Sequence, residues 1–77
     1  MNTADVIRTV QIPRDKLYYL EQKGFINPKK NLVGERETRD YSEEDIEKIV
    51  LIWKYVQEGF RYRVAYQKAI EGLRNRD

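Results

Sequence analysis

Residues 12–24 read IPRDKLYYLEQKG, and the rest of the chain is organised around this segment. It predicts a short helix with both ends marked. Pro13 suits the first helical turn, where a backbone N–H has no partner to lose, and Gly24 suits the position after the last turn, where φ is positive. Leu17 and Leu20, together with Glu21, form its inward edge. The outer residues are cations and phenols, as expected of a helix laid against a polyanion.

The composition limits what the chain can be. Its 77 residues make one small domain at most. It has no Cys and no His, which excludes disulfides, zinc fingers and imidazole catalysis. No apolar run approaches the length of a membrane span, and the N-terminus has no signal-peptide pattern, so we expect a cytoplasmic protein without a membrane partner. We also expect no catalytic residue, no cofactor and no metal site.

The charges are unevenly distributed, although the formal net charge is only +2. Residues 1–34 carry six Lys or Arg against three acids, residues 35–60 carry four against eight, and residues 61–77 carry five against two. A basic start and a basic end therefore flank an acidic middle. This pattern is compatible with an ordinary mixed surface, and also with a molecule that turns one basic face to a polyanion.

A short helix is predicted before the stretch quoted above. Thr3 is its expected N-cap, and Val6 lies on its apolar side. Residues 9–12 then turn the chain into the second helix. Two short helices joined by such a turn predict a helix-turn-helix over about residues 3–24.

A small β-hairpin is predicted next. Residues 29–31 form a basic turn, residues 32–33 and 38–41 are the extended pieces, and residues 34–37 join them. Two strands alone are marginal in water, so the hairpin is expected to lean on the helices. A hairpin beside a helix-turn-helix is a wing, here over about residues 29–41.

Two further helices are predicted, over about residues 42–58 and 62–73. Ser42 followed by Asp45 predicts a capping box for the first of them, and Gly59 should end it. The side chains expected in the core are Ile46, Ile49, Val50, Trp53 and Val56 at helical spacing, with Leu51, Ile52 and Tyr55 widening that stripe, then Phe60 beyond the turn, and Tyr66, Ala69, Ile70 and Leu73 in the last helix.

Several short runs occur together in a characteristic order. They are Ile12 at the turn, the run Leu17–Glu21, the exit Gly24-Phe25-Ile26 with Pro28, Arg39 with Tyr41, Ser42 with Asp45, and Gly59-Phe60. In this order and spacing they resemble the DNA-binding domain of the MerR family of transcription regulators, over about residues 3–70. The resemblance implies a mainly α, winged helix-turn-helix fold: two short helices, a β-hairpin wing and two further helices. It also implies a bacterial-type regulator that binds specific double-stranded DNA, with the second helix in the major groove and the wing on the phosphate backbone.

The chain departs from the family at some positions. Gln11 stands where the family's turn usually has Gly; a non-Gly residue in the left-handed conformation costs about 1 kcal/mol, which leaves room for a different turn. Tyr18 replaces the Arg of the family's LRYYE run, and Leu20 replaces its second aromatic residue. Glu37-Thr38 replaces the Gly-Tyr that precedes the wing Arg. These changes concern base contacts rather than the fold.

Ten residues are candidates for DNA contact. Arg14 and Lys16, at the start of the second helix, are expected at base edges. Tyr18 and Tyr19 are expected at phosphates or sugars, with core packing as the alternative for Tyr19. Arg39 matches the family's wing arginine and is expected on phosphate. The others are Lys29, Lys30 and Arg36 around the hairpin, and Arg61 and Arg63 at the start of the last helix, for which flanking backbone and plain surface are equally open.

Other functions and assemblies stay open. An architectural DNA binder of the phage-excisionase type would use a similar small winged fold, and a winged-helix protein–protein interaction module would suit the low net charge. Family members usually continue into a dimerising helix and an effector domain. We therefore expect a homodimer only if the chain continues beyond Asp77, with RNA polymerase as a partner through the promoter complex. Such a regulator would work in the cytoplasm, on the nucleoid.

Overall fold

The chain folds into four helices and one two-stranded antiparallel sheet in the part that the computed structural model describes, residues 1–75. In order, the elements are α1 (Thr3–Val10), α2 (Arg14–Gln22), β1 (Lys29–Val33), β2 (Arg36–Asp40), α3 (Glu43–Gln57) and α4 (Tyr62–Arg74). This is the mainly α, winged helix-turn-helix that the sequence predicted. None of the helices in this range is long and apolar enough to cross a membrane.

The N-cap of α1 is Asn2, so the prediction of Thr3 was wrong by one residue. Asn2 Oδ1 accepts a hydrogen bond from the Asp5 N–H at 2.9 Å, and the Asp5 carboxylate accepts one from the Asn2 N–H at 3.4 Å. This reciprocal pair is a capping box, which satisfies two donors at the helix start. Asn2 takes the position because it lies three residues before the acid, whereas Thr3 does not.

The turn between α1 and α2 keeps a left-handed residue without using glycine. Gln11 has φ 62° and ψ 38°, and its N–H donates to the Ile7 carbonyl at 2.9 Å. Ile12, which follows, is fully buried, and Pro13 is the N-cap of α2. Gln11 therefore adopts a left-handed conformation that costs free energy locally, and the residue that follows it, Ile12, packs in the core.

Glycines end α2 and α3 in the same way, as predicted. At the end of α2, Gly24 has φ +79°, its N–H donates to the Glu21 carbonyl, and the Phe25 N–H donates to the Leu20 carbonyl, both at 3.0 Å. This pattern is a Schellman motif, which needs a positive φ at the glycine. The corresponding bonds end α3 at Gly59, whose φ is +106°.

The two strands of the wing are longer, and the turn between them is shorter, than predicted. Pairing runs from Lys29 opposite Asp40 to Val33 opposite Arg36, so residues 29–31 belong to β1 rather than to a turn. Only Gly34 and Glu35 connect the strands. Gly34 has φ +64°, and a positive φ at the first of two turn residues suits a two-residue hairpin, which lets pairing continue to the tip.

The core lies between the helix-turn-helix and the α3–α4 pair. The buried apolar side chains are Val6, Ile12, Leu17, Leu20, Ile26, Tyr41, Ile49, Ile52, Ala65 and Ala69. The two alanines of α4 let its backbone approach α3 closely.

Some residues predicted to be in the core lie elsewhere. Val50 is 44% exposed, because α3 turns Ile49 and Ile52 inward and successive residues are about 100° apart. Phe60 is 39% exposed and packs on the edge of Tyr55, with ring centroids 5.9 Å apart. Of the stripe predicted in α4, Ala69 is buried, whereas Tyr66, Ile70 and Leu73 are half-buried.

Candidate nucleic-acid interface

The outer face of α2 presents the first group of candidate residues to solvent. Leu17 and Leu20 are fully buried and fix the rotation of the helix. On the other side, the Arg14 guanidinium donates to the Tyr18 hydroxyl at 3.3 Å, one helical turn away. Lys16 is also exposed, but it lies about 160° around the helix axis from Arg14, because successive residues are about 100° apart. We use the name recognition face for the solvent-facing surface of the first turns of α2, which carries Arg14, Lys16 and Tyr18.

One carboxylate attaches the wing to α2. Arg39 of β2 donates from Nε to Glu21 Oε1 at 2.7 Å and from Nη2 to Glu21 Oε2 at 3.2 Å. Lys30 of β1 lies with Nζ 3.2 Å from the same Oε2. The Arg39 guanidinium also lies over the Tyr18 ring, 5.1 Å from its centroid. Both strands of the wing thus meet α2 at Glu21, and this contact borders the recognition face.

The charges at this contact stabilise one another. Burial would raise the pKa of Glu21, but the hydrogen bonds from Arg39 and Lys30 outweigh burial and hold the pKa below its ordinary value of 4.5. The hydrogen bond to Glu21 raises the pKa of Arg39 further above its usual range. The pair therefore stays ionised at neutral pH. Burial likewise raises the pKa of Tyr41, which follows β2.

The predicted role of Arg39 gains a second component from this geometry. Its contact with phosphate stays a prediction. One edge of its guanidinium is bound by Glu21, and Glu37 Oε1 lies 3.4 Å from Nη2. Arg39 is therefore a wing-anchoring residue, whatever it contributes to phosphate binding.

The remaining wing cations differ in their surroundings. Arg36 is exposed at the tip, where Leu32 and Val33 are 78% and 65% exposed. Lys29 is at the base and lines a shallow cleft with Asp40 and acids at the start of α3. Because these acids also repel a phosphate, the geometry favours Arg36 over Lys29 as a contact.

A basic cleft lies on the other side of α2, where α4 begins. Its volume is about 360 Å³, and the residues that line it, which we call the α4 cleft, are Tyr19, Lys23, Phe25, Arg61, Tyr62 and Arg63. Tyr19 packs edge-on against Tyr62 with centroids 4.7 Å apart, and Lys23 Nζ lies 5.6 Å from the Tyr19 centroid. The structure thus brings Tyr19 together with Arg61 and Arg63, and the tyrosine is half-buried rather than a core residue.

Sequence reasoning missed some residues at this surface. Lys23 joins the α4 cleft, and its spacing of four residues from Tyr19 was a signal for a shared helix face. Gln22 is exposed one turn after Tyr18, and an amide there can bond to adenine. Asp15 is exposed on the outer side of α2, where it can accept a hydrogen bond from cytosine but opposes phosphate.

Residues 1–75 contain no group of three or more His, Cys, Asp or Glu side chains that could hold a metal ion.

A family model described as MerR HTH family regulatory protein matches residues 1–69. The match covers the helix-turn-helix, the wing, α3 and the first half of α4. Among curated proteins, no match to the chain is found. The family is one of DNA-binding regulators rather than enzymes, so the match indicates DNA-binding transcription regulation.

Proposed function

Because the chain belongs to the MerR family of helix-turn-helix regulatory proteins, we propose that it binds specific double-stranded DNA and regulates transcription. α2 enters the major groove with Arg14 and Lys16 at base edges. The wing lies on the phosphate backbone on one side, through Arg36 and Arg39. The α4 cleft lies on the backbone on the other side.

One observation carries this proposal: exposed cations flank a single exposed helix on both sides. Lys23, Arg61 and Arg63 lie on one flank of α2, and Arg36 lies at the wing tip on the other. A major groove about 12 Å wide admits one helix between two phosphate strands, so a helix with cations on both flanks matches its charge pattern.

Salt-dependent binding to labelled random-sequence duplex DNA, measured by fluorescence anisotropy, tests the proposal. The affinity should fall steeply as salt rises, because cations that bind phosphate release counterions. Undetectable binding at low salt, or binding that does not respond to salt, would refute the proposal and favour a protein–protein module.

Substitution of Arg14 tests the role of the recognition face. Arg14→Gln should lower the affinity for a duplex selected on the wild-type protein by about tenfold, the effect of losing one base-contacting arginine. Arg74→Gln is the matched control, since Arg74 is exposed at the far end of α4, about 18 Å along the helix from Tyr62. Equal losses in the two variants would mean that only net charge matters.

We also propose that the protein binds a two-fold symmetric DNA site as a homodimer. In the cytoplasm, this dimer would engage RNA polymerase through the promoter complex. Sedimentation with and without the selected duplex measures the number of copies on DNA. One copy per duplex at saturation would contradict the dimer.

A second candidate function, an architectural DNA binder of the phage-excisionase type, is favoured by the wing tip. Leu32 and Val33 are exposed there, and apolar side chains inserted between base pairs kink DNA. Energy transfer between dyes on the ends of a short duplex measures the bend. Bending that disappears in the Leu32→Ser, Val33→Ser variant, while affinity persists, would support this candidate.

A further inference from the structure

Glu21 occupies a position that its own helix disfavours. It lies in the last turn of α2, where the partial negative charge of the helix end repels an acid, and this turn contains no basic residue. Its side chain is only 14% exposed, so water stabilises the charge poorly. Partners outside the helix must offset both costs. Those partners are Arg39 and Lys30 of the wing.

The wing contains an unfavourable pair of positive charges, which a negative charge can offset. Lys30 stands directly opposite Arg39 in the β1–β2 register, and like charges in opposed positions destabilise a sheet. A two-stranded sheet is already marginal on its own. The Glu21 carboxylate binds both cations, at 2.7 Å and 3.2 Å to Arg39 and at 3.2 Å to Lys30. One carboxylate therefore offsets the repulsion between the strands and also ties both strands to α2.

We infer that Glu21 is a positioning residue for DNA binding: its carboxylate sets the angle between the wing and α2, so that both engage one duplex together. Because Arg39 also lies over the Tyr18 ring, the same contact orients a side chain of the recognition face. The inference rests on the proposed DNA binding and assigns a residue that touches no DNA in that proposal.

A positioning role for Glu21 and simple electrostatics predict opposite changes in DNA affinity when Glu21 is replaced by Gln. Replacing Glu21 by Gln removes one negative charge beside a surface that binds a polyanion, so the net charge there rises by one unit. It also frees Arg39 and Lys30 to pair with phosphate. Charge alone therefore predicts tighter binding. A positioning role predicts weaker binding, because a loosely held wing must be ordered at the moment of association.

Glu21→Gln and Glu71→Gln make a matched pair for the test. Both remove one acid, and Glu71 is exposed on α4. With a duplex selected on the wild-type protein, Glu71→Gln should bind as tightly as wild type or slightly more tightly. Glu21→Gln should bind about tenfold more weakly, the scale of ordering a few side chains and a loop. Equal or tighter binding by Glu21→Gln would overturn the inference.

A double-substitution cycle separates positioning from general destabilisation. Arg36→Gln removes a cation at the wing tip and should weaken binding several-fold in the wild-type background. In the Glu21→Gln background the wing engages DNA less often, so the same substitution should cost clearly less. An equal fold-change in both backgrounds would show that Glu21 does not act through the wing.

Wing order in the free protein supplies a readout without DNA. The heteronuclear NOE of backbone amides in residues 29–40 should fall in Glu21→Gln, whereas that of α3 and α4 should not change. If wild-type protein binds no duplex, the proposed function fails, and with it any role of Glu21 in binding. If wild-type protein binds but wing order and affinity are unchanged in Glu21→Gln, only the positioning inference fails.

Discussion

The two flanks of α2 are attached by different kinds of contact. The wing is attached by ion pairs between side chains, those of Glu21 with Arg39 and Lys30. The α4 side is attached by rings, through Tyr19 with Tyr62 and through Phe25, which stacks on Tyr66 with centroids 4.8 Å apart. Two adjacent residues of one helix, Tyr18 and Tyr19, thus point to an ionic flank and an aromatic flank.

This difference predicts how each flank responds to conditions. Ion pairs weaken with acid and with added salt, although salt acts less on a part-buried pair than on an exposed one, whereas aromatic packing depends little on either condition. The attachment of α2 to α4 should therefore change little with pH and salt, whereas the attachment of α2 to the wing should weaken with acid and with added salt.

The largest effect is expected from the core beneath the aromatic flank. Ile52 of α3 is fully buried, and Ile52→Ala should lower the free energy of unfolding by about 3 kcal/mol, since it leaves a cavity. Val50→Ala on the same helix should cost below about 1 kcal/mol, because Val50 is exposed. Urea denaturation measures both. Similar losses would mean that α3 packs through a different face.

Phe25→Ala is expected to loosen the aromatic flank itself. Phe25 is half-buried, and loss of its stacking and contact area should cost about 2 kcal/mol. The loss should be the same at low and at high salt. Any destabilisation by Glu21→Gln should instead shrink as salt rises, and a Phe25→Ala effect that shrank in parallel would contradict the contrast between the flanks.

Acid should release the ionic flank before the helices unfold. The folded-state pKa of Glu21 lies below its ordinary value of 4.5, so the unfolded state binds more protons near that pH. The stabilisation by the carboxylate is therefore complete above about pH 4.5 and is lost as pH falls through the lower folded-state pKa. Amide NMR spectra of the wing recorded during acidification should show this step.

The Glu21→Gln variant is the control for the acid step. It has no carboxyl group at this position, so its wing signals should lack the transition that wild type shows. A wild-type wing that keeps its chemical shifts while the Glu21 carboxyl carbon titrates would contradict the ionic attachment.

The smallest effect is expected outside both flanks, at the turn between α1 and α2. Gln11→Gly removes the left-handed cost of about 1 kcal/mol but adds backbone freedom to the unfolded chain. The two contributions nearly cancel, so the unfolding free energy should stay within about 0.5 kcal/mol of wild type. Gln11→Val should lose more than about 1 kcal/mol, since a β-branched residue tolerates positive φ poorly. Thermal unfolding measures both, and a stable Val variant would mean that the turn rearranges.

Features encoded by neighbouring residues could be predicted from the sequence. Ser42 and Asp45 form the predicted capping box, and Gly24 and Gly59 end their helices as predicted, because each depends on residues a few positions apart. The N-cap of α1 was misplaced by one residue, since Asn2 and Thr3 are both good capping residues. Local sequence patterns were therefore sufficient to predict the order of the helices and strands.

Contacts between distant elements could not be predicted in this way. Helical spacing placed Glu21 on the inward edge of α2, but nothing in the spacing named Arg39, 18 positions away, as its partner. The apolar stripe predicted in α3 contained Ile49 and Ile52 but also Val50, because many apolar residues share this helix, and only the tertiary structure shows that Val50 is exposed. Among the ten candidates for DNA contact, the sequence already grouped those of the second helix and those of the hairpin, whereas only the tertiary structure brings Tyr19 together with Arg61 and Arg63.

The single tryptophan gives the molecule an internal optical label. Trp53 lies on α3 in a groove with Thr9, Val10 and Val50, and no residue of the recognition face or the α4 cleft lines that groove. Its indole N–H is buried and has no hydrogen-bond partner among residues 1–75. Its emission should shift to longer wavelength when the chain unfolds and stay constant when a duplex is added. Folding and binding can therefore be followed in one cuvette by separate signals.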